Sequence, residues 1–142
     1  MSNNRTFSVS EVNALVPRLE AAFRRMIELR REIGARANEI ERLGFGTFGQ
    51  GGPEPREVVE RRQILEGRVS ELEDQVNLIG ELGGILTDLD LGLVDFPTEI
   101  DGERVFLCWQ FGEATVSHYH ALDAGFAGRR AIRGSHAVPT KH

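Results

Sequence analysis

At 142 residues and a formal charge of −5, the chain has the length of one domain and the mixed apolar and charged composition of a globular protein. No apolar run approaches the ~20 residues of a membrane span, and the opening MSNNRTFSVS carries no apolar signal core, so neither a membrane protein nor a secreted one is expected. One cysteine, Cys108, allows no internal disulfide and points to a reducing cytoplasm.

The first element begins with a capping signal. Ser8 with Glu11 three residues on is a capping box, in which each side chain accepts the other residue's amide, and Phe7 and Val12 flank it as a hydrophobic staple. Val12, Leu19, Met26, Ile33 and Ile40 then recur every seven residues, with Leu15, Ala22, Leu29, Arg36 and Leu43 as companions. This is a seam of the coiled-coil type. Pro17 lies inside the pattern and is expected to bend the helix without ending it, because the periodicity runs through it. Val16, Phe23 and Ile27 broaden the apolar face beyond what a pair of helices can cover.

GFGTFGQGGPEP, residues 44–55, is too rich in glycine and proline to be helical and is expected to be a mobile, dispensable loop that reverses the chain. A second heptad run follows, with Val58, Leu65, Leu72 and Ile79 in one position and Arg62, Val69 and Val76 in the other. Gly83-Gly84 closes it as a left-handed helix end. Residues 8–82 should thus form a long antiparallel helical hairpin. Arg36 and Arg62 approach its loop end, where they are expected to reach water or a nearby glutamate, reflecting fraying with no evident function.

From Gly92 the period shortens to two. LVDFPTEI, ERVFLCWQF and ATVSHYHAL read as strands of an antiparallel meander within residues 85–123, and ILTDLD as a short additional one. Asp101-Gly102 is a strong hairpin signal, while Pro97 argues that its strand is an edge. The fold class is therefore α+β, a single domain over 1–142 in which a coiled-coil-like hairpin carries a small C-terminal meander on the overhanging start of the first helix. Residues 124–142 read as a basic tail, with Arg129, Arg130, Arg133 and Lys141 and no acid beyond Asp123. Four cations without interleaved aromatics make a poor case for nucleic-acid binding.

Register decides whether the strands hold a site. A two-residue loop at Asp101-Gly102 sets Asp95 opposite Cys108. A three-residue loop at Gly112-Glu113-Ala114 sets Cys108 opposite His118, so that Asp95, Cys108, His118 and His120 share one face. A two-residue loop there turns both histidines to the other face, beside Leu107 and Trp109. In the first case a carboxylate, a thiolate and imidazoles converge, a donor set suited to zinc or another transition metal. The same geometry allows a Cys108–His120 nucleophile–base pair. The bland alternative is a buried cysteine acting as a small hydrophobe beside hydrogen-bonded histidines. In DAGFAGRR, Gly125 and Gly128 free the backbone, and Arg129 and Arg130 can hold a phosphate or carboxylate. The alternative is a turn whose arginine pairs with a nearby acid.

Together FSVSEVNALVPRL, GLVDFP, LCWQFGE, HYH and DAGFAGR resemble the bacterial family catalogued as domain of unknown function twenty-two-oh-three, over nearly the whole chain. The resemblance implies that Asp95, Phe96, Pro97, Cys108, Trp109, Glu113, His120, Gly125, Gly128 and Arg129 belong to the family pattern. Tyr119 stands where tryptophan is usual, and Ala121 where a glutamate commonly follows the histidine. No activity comes with it. The expected protein is cytoplasmic and non-enzymatic, self-associating as a homodimer through its helices, with a small-ligand or metal site on its sheet. The alternative is a metal- or cysteine-dependent enzyme using Asp95, Cys108 and His120.

Overall fold

A computed structural model describes residues 5–49 and 52–132. Helices α1 (Val9–Arg42) and α2 (Arg56–Glu81) precede strands β1 (Ile85–Asp88), β2 (Leu93–Ile100), β3 (Glu103–Gln110), β4 (His118–Ala121) and β5 (Arg130–Ala131). The strands form one antiparallel sheet in sequence order, so the architecture is α+β. Two compact units divide the chain: Ala22–Asn77 form one, and the start of α1 to Ala21 joins the chain from Leu78 onward in the other. Among the described residues no helix is long and apolar enough to cross a membrane.

In the helical unit the two helices run antiparallel. Arg25 pairs with Glu71 at 2.6 Å, Arg68 with Glu32 at 3.0 Å and Arg61 with Glu39 at 2.7 Å, so the numbering rises on one helix as it falls on the other. These pairs are partly exposed and contribute little stability each. The seam residues Ile40, Val58 and Leu65 form a buried core, with Ile33, Phe45 and Val69 packed against it.

Arg62 corrects an expectation. It is buried, and its guanidinium donates to the Glu54 carboxylate at 2.6 and 3.2 Å, to the Gly46 carbonyl at 2.7 Å and to the Thr47 carbonyl. A cation facing the end of an apolar seam needs acceptors, and the loop supplies them. The connection between the helices is thereby anchored at Arg62 and at Phe45, although Phe48 stays 92% exposed. Glycine and proline exclude a helix here; they do not exclude a docked loop.

The sheet unit begins with the expected cap. Ser8 N donates to Glu11 Oε1 at 2.9 Å and Glu11 N to Ser8 Oγ at 3.0 Å, while Phe7 and Val12 are buried. The α1 helix continues through Pro17 as one element. At the far end of α2, Gly83 takes φ +100, and Gly84 N donates to the Ile79 carbonyl at 3.0 Å, the left-handed termination read from Gly83-Gly84. Asp101 and Gly102 both have positive φ and set Ile100 opposite Glu103.

Three strand expectations change. Pro97 lies on an interior strand, because β1 joins the other side of β2. That pairing stops at Asp95, and beyond it the Pro97 carbonyl accepts Phe7 N at 2.7 Å, so the missing N–H breaks no ladder bond. The third run is a strand only at His118–Ala121; before it, Val116 N donates instead to Asn13 Oδ1 at 2.7 Å. The start of the basic tail adds β5 on the outer side of β4, too short a pairing for periodicity to reveal. Arg133 and Lys141 lie outside the described residues.

One face of the sheet is core. Val94, Phe96, Leu107 and Trp109 are buried, and Phe7 meets Phe96 edge-on at 5.1 Å between ring centroids. Val12, Val16 and Leu19 of α1 are buried in the same unit, and Phe23 is also covered within the single chain. Of the residues that broaden the apolar face of the first helix, Val16 and Phe23 are thus covered, while Ile27 stays 41% exposed.

Candidate metal centre

Strand alternation sends Asp95, Cys108 and His120 to the opposite face. Asp95 pairs with Cys108 and Cys108 with His118, the register of the three-residue loop, and His120 stands one pleat further along, opposite Phe106. A carboxylate oxygen, the thiol sulfur and an imidazole nitrogen lie within 4.8 Å of one another, and all three residues are buried. Tetrahedral donors around a zinc-like ion sit about 3.3–3.8 Å apart, so holding one would need shifts of no more than roughly 1 Å in this group. It is the one such group of metal-ligating side chains among the described residues.

His118 shares the face but falls outside the group. Its Nδ1 lies 3.0 Å from Ser117 Oγ and 3.8 Å from the Glu113 carboxylate. The four residues assembled from the sequence thus divide into three that converge and one at the side.

The hydrogen bonds of His120 orient its ring on the pocket floor. Nδ1 lies 2.8 Å from the carbonyl oxygen of Ala121, and a carbonyl can only accept, so Nδ1 carries a proton. Nε2 lies 3.1 Å from Asp95 Oδ1. In a neutral ring that nitrogen presents a lone pair to a carboxylate. A hydrogen bond between them needs a proton on one of the two atoms; without it, the two lone pairs would suit a cation bound beside them. Fixing Nδ1–H on a carbonyl is also the arrangement that orients a ligating histidine. Cys108 completes the group as a thiol: burial, reinforced by the Asp95 charge, pushes it up to about 11 from 9.0, with Arg129 opposing. Such a thiol is a poor nucleophile near neutral pH, which counts against the cysteine-enzyme alternative.

A salt-bridged turn supports the group from the side. Arg129 Nη2 donates to the Cys108 carbonyl at 3.0 Å and to both Glu113 oxygens at 3.0 and 3.1 Å. Glu113 Oε1 accepts Gln110 N at 2.8 Å, and its carbonyl accepts Trp109 Nε1 at 3.0 Å. The guanidinium also lies over the Phe126 ring, 5.2 Å from its centroid. Of the residues proposed to hold an anion, Arg129 is therefore engaged by a carboxylate of its own chain. Gly125 turns the chain with φ +73 ahead of the short helical turn at Phe126–Gly128, a Cβ on Gly128 would lie 2.6 Å from that of Ala124, and Arg130 is exposed on β5.

Above the group opens a pocket of about 340 Å³. Its walls are Leu91, Leu93, Phe106, Leu122 and Phe126, of which Leu91, Leu122 and Phe126 are substantially exposed and form a rim. Thr87 and Asp88 add polar atoms, but Thr87 Oγ1 donates to the Leu93 carbonyl at 3.3 Å and Asp88 Oδ1 accepts Leu91 N at 2.8 Å. Sequence reading missed these wall residues and the Ala121 carbonyl. The first lie on separate strands and loops, with only Phe126 inside a stretch singled out above for ligand binding, and the second is a backbone atom that no side-chain pattern reports.

Fold and site thus describe an α+β protein with a buried Asp–Cys–His group beneath an apolar pocket. The family model of DUF2203, described as an uncharacterized conserved protein, matches residues 5–132, and the chain belongs to that family. No curated protein and no solved structure matches it.

Proposed function

We propose that this protein binds a divalent transition-metal ion, of zinc type, through Asp95, Cys108 and His120, and that the ion presents a further coordination position to a small ligand in the pocket. The observation that carries this reading is the hydrogen bonding of His120: Nδ1 is committed to a carbonyl, and Nε2 is aimed at a carboxylate beside a thiol. Three protein donors with one position left over is the pattern of a reactive or ligand-exchanging site, whereas purely structural zinc is closed by four. A thiolate ligand needs reducing surroundings, which supports a cytoplasmic setting. The helical unit, with its apolar seam and its Arg62–Glu54 pair, is read as a structural element of the coiled-coil type.

Protein purified without an affinity tag should contain, or take up, one equivalent of Zn²⁺ or Co²⁺ by elemental analysis and absorbance titration. Cys108→Ser and His120→Gln should each abolish stoichiometric uptake, whereas His118→Ala should retain it. Because uptake displaces a proton from the thiol, apparent affinity should rise about tenfold per pH unit for each proton released. Failure of wild-type protein to bind either ion at one equivalent overturns the reading. Loss of binding in His118→Ala would restore the four-residue site.

A further inference from the structure

If the metal reading holds, on which this inference rests, charge decides what can occupy the pocket. A divalent ion bound by the Asp95 carboxylate, the Cys108 thiolate and a neutral His120 has no net charge. An anionic ligand would therefore add an uncompensated negative charge at a buried floor. Among the described residues lining the pocket there is no lysine or arginine, and Asp88 contributes a further acid. Arg129 does not offset this, since its Nη2 is held by Glu113 and the Cys108 carbonyl. The walls are apolar; Thr87 Oγ1 is engaged by the Leu93 carbonyl and Asp88 Oδ1 by the Leu91 amide. At about 340 Å³ the space lies near the lower end of ligand pockets, which run from about 300 to 1,000 Å³.

We infer that the ligand is a neutral small molecule with an apolar body and a single hydroxyl or carbonyl oxygen, directed at the metal. Carboxylates of the same shape are disfavoured by charge. The wall supplies burial for the body, with Thr87 and Asp88 as its polar members beyond the three candidate ligands.

The test uses the Co²⁺-loaded full chain, so that metal uptake is established before any ligand is added. Benzamide, benzyl alcohol and benzoate are then titrated at pH 7 and constant ionic strength, and the visible cobalt bands are followed. Benzamide and benzoate differ little except in charge. The neutral probes should shift the bands with dissociation constants at least about tenfold below that of benzoate. Leu122→Lys, at the exposed rim, should keep the cobalt stoichiometry and move the preference towards benzoate. Benzoate binding as tightly as benzamide to the wild type overturns the inference, as does absence of any shift with the neutral probes at tens of millimolar. Absence of stoichiometric cobalt at the outset overturns the metal reading itself and the inference with it.

Discussion

Cys108 holds its proton because burial and the neighbouring Asp95 charge disfavour the thiolate. Its titration shifts from 9.0 to about 11, so the folded chain keeps this proton longer than the unfolded chain does. The associated stabilisation is fully present below pH 9 and is lost as pH rises through 11, a change of roughly 2–3 kcal/mol. Urea unfolding of metal-free protein between pH 8 and 11 should show it: the stability of the wild type relative to Cys108→Ala should fall by about that amount. A difference independent of pH would mean that the thiol is solvated. A bound metal ion would reverse this logic, since it would take the thiolate and turn the residue that resists ionisation into one held ionised. The residues of the site were legible as candidates because their types suit metal ligation. Their selection was not, since His118 and His120 have the same alternation and differ in what surrounds them.

Among the elements, the end of α2 is set by a glycine that cannot be replaced. Gly83 has φ +100, and a Cβ there would lie 2.3 Å from the Phe7 ring. Gly83→Ala should cost about 2–4 kcal/mol, combining a disfavoured backbone with overpacking. In the same helix Gly67 has open space around its Cβ position, and Gly67→Ala should stabilise the protein by about 0.5–1 kcal/mol. Thermal or urea unfolding of the two variants should move in opposite directions. The loop between the helices provides a second test. Arg62→Met leaves Glu54 without its partner and frees the Gly46 and Thr47 carbonyls, at a cost of about 3 kcal/mol. The double variant with Glu54→Gln should lose less than the sum of the single changes. Replacing residues 44–55 by a Gly/Ser linker should lower the thermal midpoint by several degrees, and an unchanged midpoint would show that Phe45 and Arg62 anchor nothing.

For the whole molecule, the case for a second subunit rested on an apolar face too wide for two helices. Val12, Val16, Leu19 and Phe23 are each at most 4% exposed within one chain, so these four do not require a second subunit. The half-exposed Ile27, Val59 and Ile64 that remain on the helices are ordinary for a monomer's surface. Sedimentation equilibrium at tens of micromolar should give the 15.8 kDa of a single chain. A dimer mass would place an interface on surface outside the buried faces described above.

The sequence by itself determined the helices, the three main runs of the sheet and the register between Asp95 and Cys108. Each rests on local chemistry: a capping box, a seven-residue period, a glycine helix end and an Asp-Gly turn act within a few residues of themselves. The tertiary structure decided the rest. It placed Pro97 on an interior strand, because β1 ends before its missing amide matters. Arg62 turned inward because distant loop carbonyls accept its donors. Finally, it set His120 between the Ala121 carbonyl and Asp95, a contact that depends on atoms from two strands meeting within hydrogen-bond distance.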